Sequence, residues 1–89
     1  MDDAQQAYLG RLADQVEREQ PTTGDQWQAA IFSVAIETGI DTRQAFTALY
    51  LAFLARTNGP RAGWLLASLD PDFVRLRLRE AAGAVGSTP

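Results

Sequence analysis

The chain contains no histidine, no cysteine and no lysine. Without histidine it cannot form a Ser-His or Cys-His nucleophile pair, and the usual nitrogen and sulfur ligands of a zinc site are missing. Without cysteine there is no disulfide framework, as in many proteins of the reducing cytoplasm. We therefore expect no catalytic centre, no metal, no cofactor and a cytoplasmic location.

Strand-like and membrane-like patterns are also scarce. No Val/Ile/Thr-rich run alternates with polar residues, which argues against strands. The apolar runs are too short for a transmembrane span, and no basic region precedes an apolar stretch near Met1, which argues against a secretory signal. Hydrophobic residues nevertheless make up 46% of the 89 residues and include two Trp, which indicates one small folded domain.

Charge restricts the partners. All eight basic residues are Arg, and the net charge is −3. A negatively charged chain does not bind nucleic acid through bulk electrostatics, but a local group of Arg side chains still allows it. We therefore expect no DNA and no membrane as partners.

The first helix is predicted from its caps and its apolar spacing. Asp2 and Asp3 can cap a helix that runs to about residue 20, where Pro21 ends it. One apolar stripe faces inwards and the other faces are polar, so we expect an amphipathic, partly exposed helix. The stripe consists of Tyr8, Leu9, Leu12 and Val16.

A second helix is predicted over roughly residues 25–38. It follows the capping stretch 23–25 and precedes Gly39, which suits the left-handed position after a helix. Its predicted buried face consists of Trp27, Ala30, Ile31, Val34 and Ala35.

A third helix starts after Asp41, with Gln44 placed to complete a capping box. It is apolar around most of its circumference, which is typical of the central helix of a small bundle. Asn58, Gly59 and Pro60 are expected to end it. Its large apolar residues are Phe46, Leu49, Tyr50, Phe53 and Leu54.

Two short helices complete the chain. The fourth is expected to begin with Pro60 at its first position and to end near Ser68. The fifth follows Asp70 over residues 71–82 and stops at Gly83. The sequence thus predicts an all-α protein, a compact bundle of about five short helices forming a single domain over 1–83, followed by a mobile tail over 84–89.

One set of residues recurs in a characteristic order along the chain: Trp27, Ile31, Gly39-Ile40, Ala45-Phe46, Leu49-Tyr50, Gly59-Pro60-Arg61 with Gly63, and Phe73-Val74 with Arg77-Leu78. On these residues the stretch 25–80 resembles a known family, the C-terminal segment of class I lysyl-tRNA synthetases. Residues 45–78 match the pattern of that family with few departures, whereas residues 1–20 match only in helical character.

The resemblance implies an α-helix cage over residues 25–80 that binds the anticodon end of tRNA and carries out no chemistry. The class I signatures HIGH and KMSKS, which stabilise charge on the ATP phosphates, need the His and Lys that this chain lacks. A helical domain of this size also has no parallel sheet to form an ATP crevice. We expect an excised domain or a free-standing relative, not a complete synthetase.

Five residues are the candidate RNA ligands. Arg75 and Arg79 lie four residues apart on one helix face and are placed to meet a phosphate backbone, or else pair with nearby carboxylates such as Asp72 and Glu80. Arg77 lies on another face and is expected to pair with a carboxylate or a carbonyl. Arg56 and Arg61 flank the Gly-Pro stretch and are expected to approach RNA together. Trp64 is the fifth candidate.

The other singled-out residues favour structural roles. Gly59, Pro60 and Gly63 are interpreted as a tight helix corner in preference to a phosphate loop, because Pro60 donates no N–H. Trp27 and Tyr50, which could stack on bases, are expected in the core instead. The carboxylates flanking Pro71 are explained by capping and need no catalytic role.

Two other functions compete with RNA recognition. A protein-interaction domain would dimerise or dock through apolar surface, and the acidic first helix would be the site that a partner recognises. A DNA-binding helix-turn-helix over 27–55 has a suitable turn length. Its recognition helix, however, would expose Phe46 and Tyr50 and would have almost no basic residues beyond Arg43 and Arg56.

Overall fold

The computed structural model describes residues 2–83 and confirms an all-α protein. Five helices follow one another: α1 (Asp3–Glu19), α2 (Gly24–Thr38), α3 (Thr42–Leu54), α4 (Ala62–Ala67) and α5 (Pro71–Ala82). Within residues 2–83 no helix is long and apolar enough to cross a membrane. The tail predicted over 84–89 lies outside the described residues.

Local capping explains most helix ends. The Asp2 side chain accepts from the Gln5 N–H while Gln5 returns a bond to the Asp2 N–H, and Thr23 and Gln26 repeat this capping box on α2. Gly39 and Gly83 end α2 and α5 in the left-handed conformation. These two glycine stops were predicted.

The capping box predicted for α3 is wrong. The Asp41 side chain accepts from the Arg43 N–H, so it caps the helix alone. Gln44 instead uses its Oε1 to accept from Gln5 Nε2 of α1, at 3.0 Å. A tertiary contact therefore replaces the local one.

The connection between α3 and α4 also differs from the prediction. α3 ends at Leu54, where Ala55 adopts a left-handed conformation (φ 55°), and α4 begins only at Ala62. Pro60 is therefore not the first residue of α4. The chain reverses early because Gly59 folds back against the Tyr50 and Leu54 side chains, and a methyl group at position 59 would lie 2.7 Å from Leu54 Cδ1.

α1 lies at the centre of the bundle. It packs chiefly against α5 and α2 and also contacts α3, and its predicted apolar stripe is fully buried together with Ala13. The Tyr8 hydroxyl donates to the Ile31 carbonyl at 3.0 Å, which ties α1 to α2. The predicted face of α2, from Trp27 to Ala35, is likewise buried.

The prediction that α3 is the central helix is wrong. Its buried face carries the small residues Ala45, Ala48 and Ala52 together with Leu49. Small side chains let the α3 backbone approach its neighbours closely, so the larger apolar side chains are left at the edge of the contact. Phe46, Tyr50, Phe53 and Leu54 are half-buried.

α1 and α5 run antiparallel and are joined by an ion-pair cluster. The Arg79 guanidinium lies 2.9 Å from both the Asp14 and the Glu17 carboxylates. Hydrogen bonds with Glu17 and Asp14 raise the pKa of Arg79 above its ordinary value. Further along the pair, a methyl group at Gly10 would lie 3.7 Å from Ala82 Cβ, an ordinary contact.

The buried Tyr8 predicts loss of stability in alkali. Burial raises the pKa of the Tyr8 phenol above its ordinary value of about 10. The folded state therefore retains a proton that the unfolded state loses, and we expect the free energy of unfolding to fall by up to about 1.4 kcal/mol per pH unit above about pH 10. Urea denaturation across this range measures the slope.

Tyr8→Phe separates this effect from other alkaline effects. The variant loses the hydrogen bond to Ile31 and should be about 1 kcal/mol less stable near neutral pH. Its stability should decline less steeply above pH 10, because the titrating group is gone. An equally steep decline in wild type and variant would contradict the assignment to Tyr8.

Candidate nucleic-acid interface

A groove lies between α2, α3 and the start of α4. Its volume is about 340 Å³, near the lower end of the range for small-ligand sites. Two helices and a connecting loop form its walls, and three of the six lining side chains are aromatic. The lining residues are Gln28, Phe32, Phe46, Tyr50, Arg61 and Ala62.

Helical spacing produces the two long walls. Gln28 and Phe32 are four residues apart on α2, and Phe46 and Tyr50 are four residues apart on α3, so each pair projects from one face of its helix. The Phe32 and Phe46 rings meet edge to face across the groove floor, with centroids 5.6 Å apart. Phe32 remains 41% exposed, so its ring is available to a ligand.

Gly59 packs against Tyr50, one of the residues that line the groove. A methyl group at this position would lie 3.3 Å from Tyr50 Cδ1, closer than most side chains tolerate. The absence of a side chain lets the 55–61 loop cover one part of the Tyr50 ring. Arg61, at the end of this loop, lies at the edge of the groove.

Gly63 fastens α4 to α2 at the other end. Its backbone N–H donates to Gln28 Oε1 at 2.7 Å. A methyl group on Gly63 would lie 2.7 Å from the Gly24 carbonyl oxygen, so only glycine allows the two helices to approach this closely. Gln28 is thereby held in a fixed orientation.

Arg61 and Trp64 form the polar rim. The Arg61 guanidinium lies 5.0 Å from the centroid of the Trp64 ring, within cation–π range. The Trp64 ring packs on Gly24, where any side chain would collide with it, yet it stays 46% exposed. The groove lining thus carries one cation and no carboxylate.

The predicted RNA ligands fall into two groups. Arg61 and Trp64 lie together at the rim, and Arg56 is exposed on the loop that leads to it. Arg75 and Arg79 lie on α5, outside the groove lining, and contact carboxylates: Arg75 forms an ion pair with Asp72, and Arg79 with the two acidic residues of α1. The structure therefore does not bring all five candidates to one place.

Arg77 follows its expected role. Its Nε donates to the Ala52 carbonyl at 2.6 Å, and its Nη1 lies 3.5 Å from a Glu80 carboxylate oxygen. This bond ties α5 to α3.

Of the six residues that line the groove, only Arg61 was identified as a site candidate from the sequence. Gln28 and Phe32 lie on α2 beside the stripe that was assigned to the core. Phe46 and Tyr50 were expected inside the core, but both are half-buried and line the groove, so that expectation is wrong. The usable signal was Phe32, a large aromatic residue that does not fit the buried spacing of α2. Arg43 is a further exposed residue, seven positions before Tyr50 and on the same face of α3.

The geometry favours a flat, partly apolar ligand with a negative group. Aromatic rings from two helices offer stacking surfaces. Arg61 is the one cation in the lining and can pair with an anionic group of a ligand. The six lining residues include no carboxylate, and the one hydroxyl among them is that of Tyr50.

Curated relatives of this chain are lysine–tRNA ligases. One from Methanosarcina acetivorans is 28% identical over 98 residues, covering 92% of this chain and 18% of the relative. Those from Archaeoglobus fulgidus and Natronomonas pharaonis are 36% and 40% identical over 84% and 82% of this chain. This chain therefore spans less than a fifth of the length of these relatives. No solved structure matches it.

A family match covers nearly the whole chain. The family described as "Anticodon binding domain" matches residues 1–82. The match includes α1, whereas the resemblance seen in the sequence began at residue 25, so the first helix is part of the family domain and not an addition to it. The chain belongs to the anticodon binding domain family.

Proposed function

We propose that this chain is a non-catalytic module that recognises the anticodon end of a tRNA, with lysine tRNA as its ligand. Its family membership and the activity named for its relatives support the proposal. The observation that carries it is the groove, which combines three aromatic rings and one Arg with no carboxylate.

The proposed module does not itself activate the amino acid. The chain covers 18% of a lysine–tRNA ligase and lacks the His and Lys of the HIGH and KMSKS signatures. Its contribution to aminoacylation is to bind and position the tRNA, which fits a cytoplasmic site of translation.

An unpaired base enters the groove and stacks on its rings. Aromatic stacking of single-stranded bases contributes about 1–3 kcal/mol per base, and Phe32, Phe46 and Tyr50 provide the faces. Arg61 and Arg56 meet the flanking phosphates, and neither forms a salt bridge within residues 2–83. Trp64 offers a second stacking surface at the rim.

Arg75 and Arg79 of α5 have different roles in the proposed module. Arg75 pairs only with the exposed Asp72 one helical turn away, a contact of small energy that RNA can replace. Arg79 bridges two carboxylates of α1 and therefore acts by holding α5 in place. We assign phosphate binding to Arg56, Arg61 and Arg75, and a structural role to Arg79.

Titration with the anticodon stem–loop hairpin of a lysine tRNA tests the proposal. We expect salt-sensitive binding, and Arg61→Gln should weaken it about fivefold and lower the salt slope by about 1, because one phosphate contact is lost. Arg18→Gln is the matched control, since Arg18 is exposed on α1 and its side chain donates a hydrogen bond to Gln15 of the same helix. No binding at high micromolar concentration and low salt would refute the RNA role.

A second candidate function is self-association through α5. Phe73 and Leu76 are about half exposed, and the Phe73 ring leans edge to face on Phe53 of α3. The apolar face of the acidic first helix is buried in the core, so only the polar face of that helix is exposed to a partner. Light scattering of the wild type and of Leu76→Gln over a concentration series distinguishes a dimer from a monomer.

The helix-turn-helix interpretation receives no support. Phe46, on the α3 face that would have to enter a DNA groove, packs against Phe32 of α2. Arg43 and Arg56 are the basic residues next to that helix. Such a surface lacks the phosphate contacts that position a protein on DNA.

A further inference from the structure

We infer that Gln28 is a specificity-determining residue, which makes the groove prefer a base with a carbonyl group on the edge facing α2 over a base with an amino group there. The inference rests on the proposed function and adds to it the chemical class of the base. Uracil and guanine are favoured, and cytosine and adenine are disfavoured.

The orientation of the Gln28 amide is fixed by Gly63. Gly63 is the second residue of α4, so its N–H has no partner within the helix and needs an outside acceptor. That acceptor is Gln28 Oε1, at 2.7 Å. A backbone N–H only donates, so the amide cannot rotate by 180° without placing two donors against each other.

The same bond decides what Gln28 offers to a ligand. The Gly63 N–H engages one lone pair of Oε1, and the NH2 group of this groove-lining side chain forms no hydrogen bond within residues 2–83. A free amide can turn either its donor or its acceptor towards a ligand, whereas the bond to Gly63 holds the Gln28 amide in one orientation. We infer that its unpartnered NH2 group is the part that a ligand in the groove meets.

A donor discriminates between bases. Uracil O4 and guanine O6 accept from an NH2 group, whereas the amino groups of cytosine and adenine at the same positions would oppose it. A site built to hydrogen-bond one group rejects the analogue that leaves its own polar group unpaired.

The absence of a side chain at Gly63 leaves the space that the Gln28 amide needs to form this hydrogen bond. A methyl group there would lie 2.5 Å from Gln28 Cγ and 2.6 Å from its Oε1, so any other residue would push the amide away. The Gly-Pro-Arg-x-Gly stretch thus has two effects on the groove. It places Arg61 at the rim, and its Gly63 fixes the orientation of the Gln28 amide in the wall.

Base substitution in the hairpin tests the inference. Uracil and cytosine are compared at each anticodon position by measuring the affinity of each hairpin for the intact chain. We expect the wild type to prefer uracil about tenfold at one position at least. Gln28→Glu should invert the preference there, because the carboxylate still accepts from Gly63 but accepts from the cytosine amino group too.

The control variant is Gln26→Glu. Gln26 lies on the same helix, and its Oε1 also accepts from backbone N–H groups, those of Thr22 and Thr23, but it does not line the groove. Both variants add one negative charge and lower the affinity for every hairpin, so the uracil-to-cytosine ratio is the readout. Only Gln28→Glu should change that ratio.

Gln28→Met is a second variant for the case in which the glutamate variant does not fold. It has no donor, so its ratio should fall to about one. A wild type that binds hairpins without any base preference, or a ratio unchanged in both Gln28 variants, would overturn the inference while the proposed function stands. Failure of the wild type to bind any hairpin would refute the proposed function itself.

Discussion

A chain that lacks residues 1–20 is expected not to fold. These residues form α1, which carries the fully buried Tyr8, Leu9 and Leu12 and contacts three of the other four helices. Burying one large apolar side chain contributes about 1.5–3 kcal/mol. The total for α1 is comparable to the whole net stability of a small domain, about 5–15 kcal/mol. The remaining helices would also expose the surfaces that α1 covers.

Circular dichroism and thermal unfolding measure this effect. The truncated chain should lose most of its helical signal and its cooperative transition, because isolated short helices are marginal in water. Ala7→Ser is the control, since Ala7 lies on the exposed face of α1 and the change should cost well under 1 kcal/mol. A truncated chain that melts cooperatively would show that α1 is an accessory helix after all.

Gly63→Ala is expected to destabilise the domain by about 2 kcal/mol. The added methyl group would lie 2.7 Å from the Gly24 carbonyl oxygen, a backbone atom that cannot yield without moving α4 away from α2. Overpacking of this kind typically costs about 1–3 kcal/mol. Loss of the hydrogen bond to Gln28 adds to the cost, whereas the better helix propensity of alanine offsets about 1 kcal/mol.

Gly10→Ala is the matched comparison. Gly10 lies inside α1, and a methyl group there would make only an ordinary contact, 3.7 Å from Ala82 Cβ. This variant should gain about 0.5–1 kcal/mol from helix propensity. In thermal denaturation the two variants should therefore move the melting temperature in opposite directions, with Gly63→Ala lowered by about 10 °C. Equal shifts of the same sign would show that the α2–α4 contact is looser than the structure indicates.

The parts of the fold that depend on neighbouring residues could be predicted from the sequence. The start of α1 at Asp2, the stop of α2 at Gly39 and the start of α5 at Asp70 follow from local capping chemistry. The buried stripes of α1 and α2 could be predicted from helical spacing, because each helix also has a polar face that identifies its solvent-exposed side. The extent of α1 and α2 was accordingly correct to within one residue.

α3 could not be oriented in this way. It has apolar residues on nearly every face, so spacing does not say whether the face of Ala48 or that of Phe46 turns inwards. The small residues are buried because close backbone contact with α1 leaves no room for rings. The choice depends on the shape of the neighbouring helix, which the local sequence does not contain.

The candidate site depends on contacts between distant residues. Gln28 and Gly63 are 35 positions apart, and nothing next to Gln28 in the sequence marks it as different from the other glutamines. The sequence identified Arg61 and Trp64 because they belong to a recognisable stretch. It could not show that Arg79 meets Asp14 and Glu17, since those residues come close only after α1 and α5 pack.

The antiparallel pairing of α1 with α5 determines how the domain can be attached to other chains. The contact of Gly10 with Ala82 places the end of α5 about 10 Å, the rise of seven helical residues, from the start of α1. The start of α1 and the end of α5 therefore lie on the same side of the bundle. A short linker would join them, so the order of the helices could be circularly permuted by opening the 55–61 loop. The domain could equally be inserted into a host loop by two neighbouring tethers without separating its first and last helices.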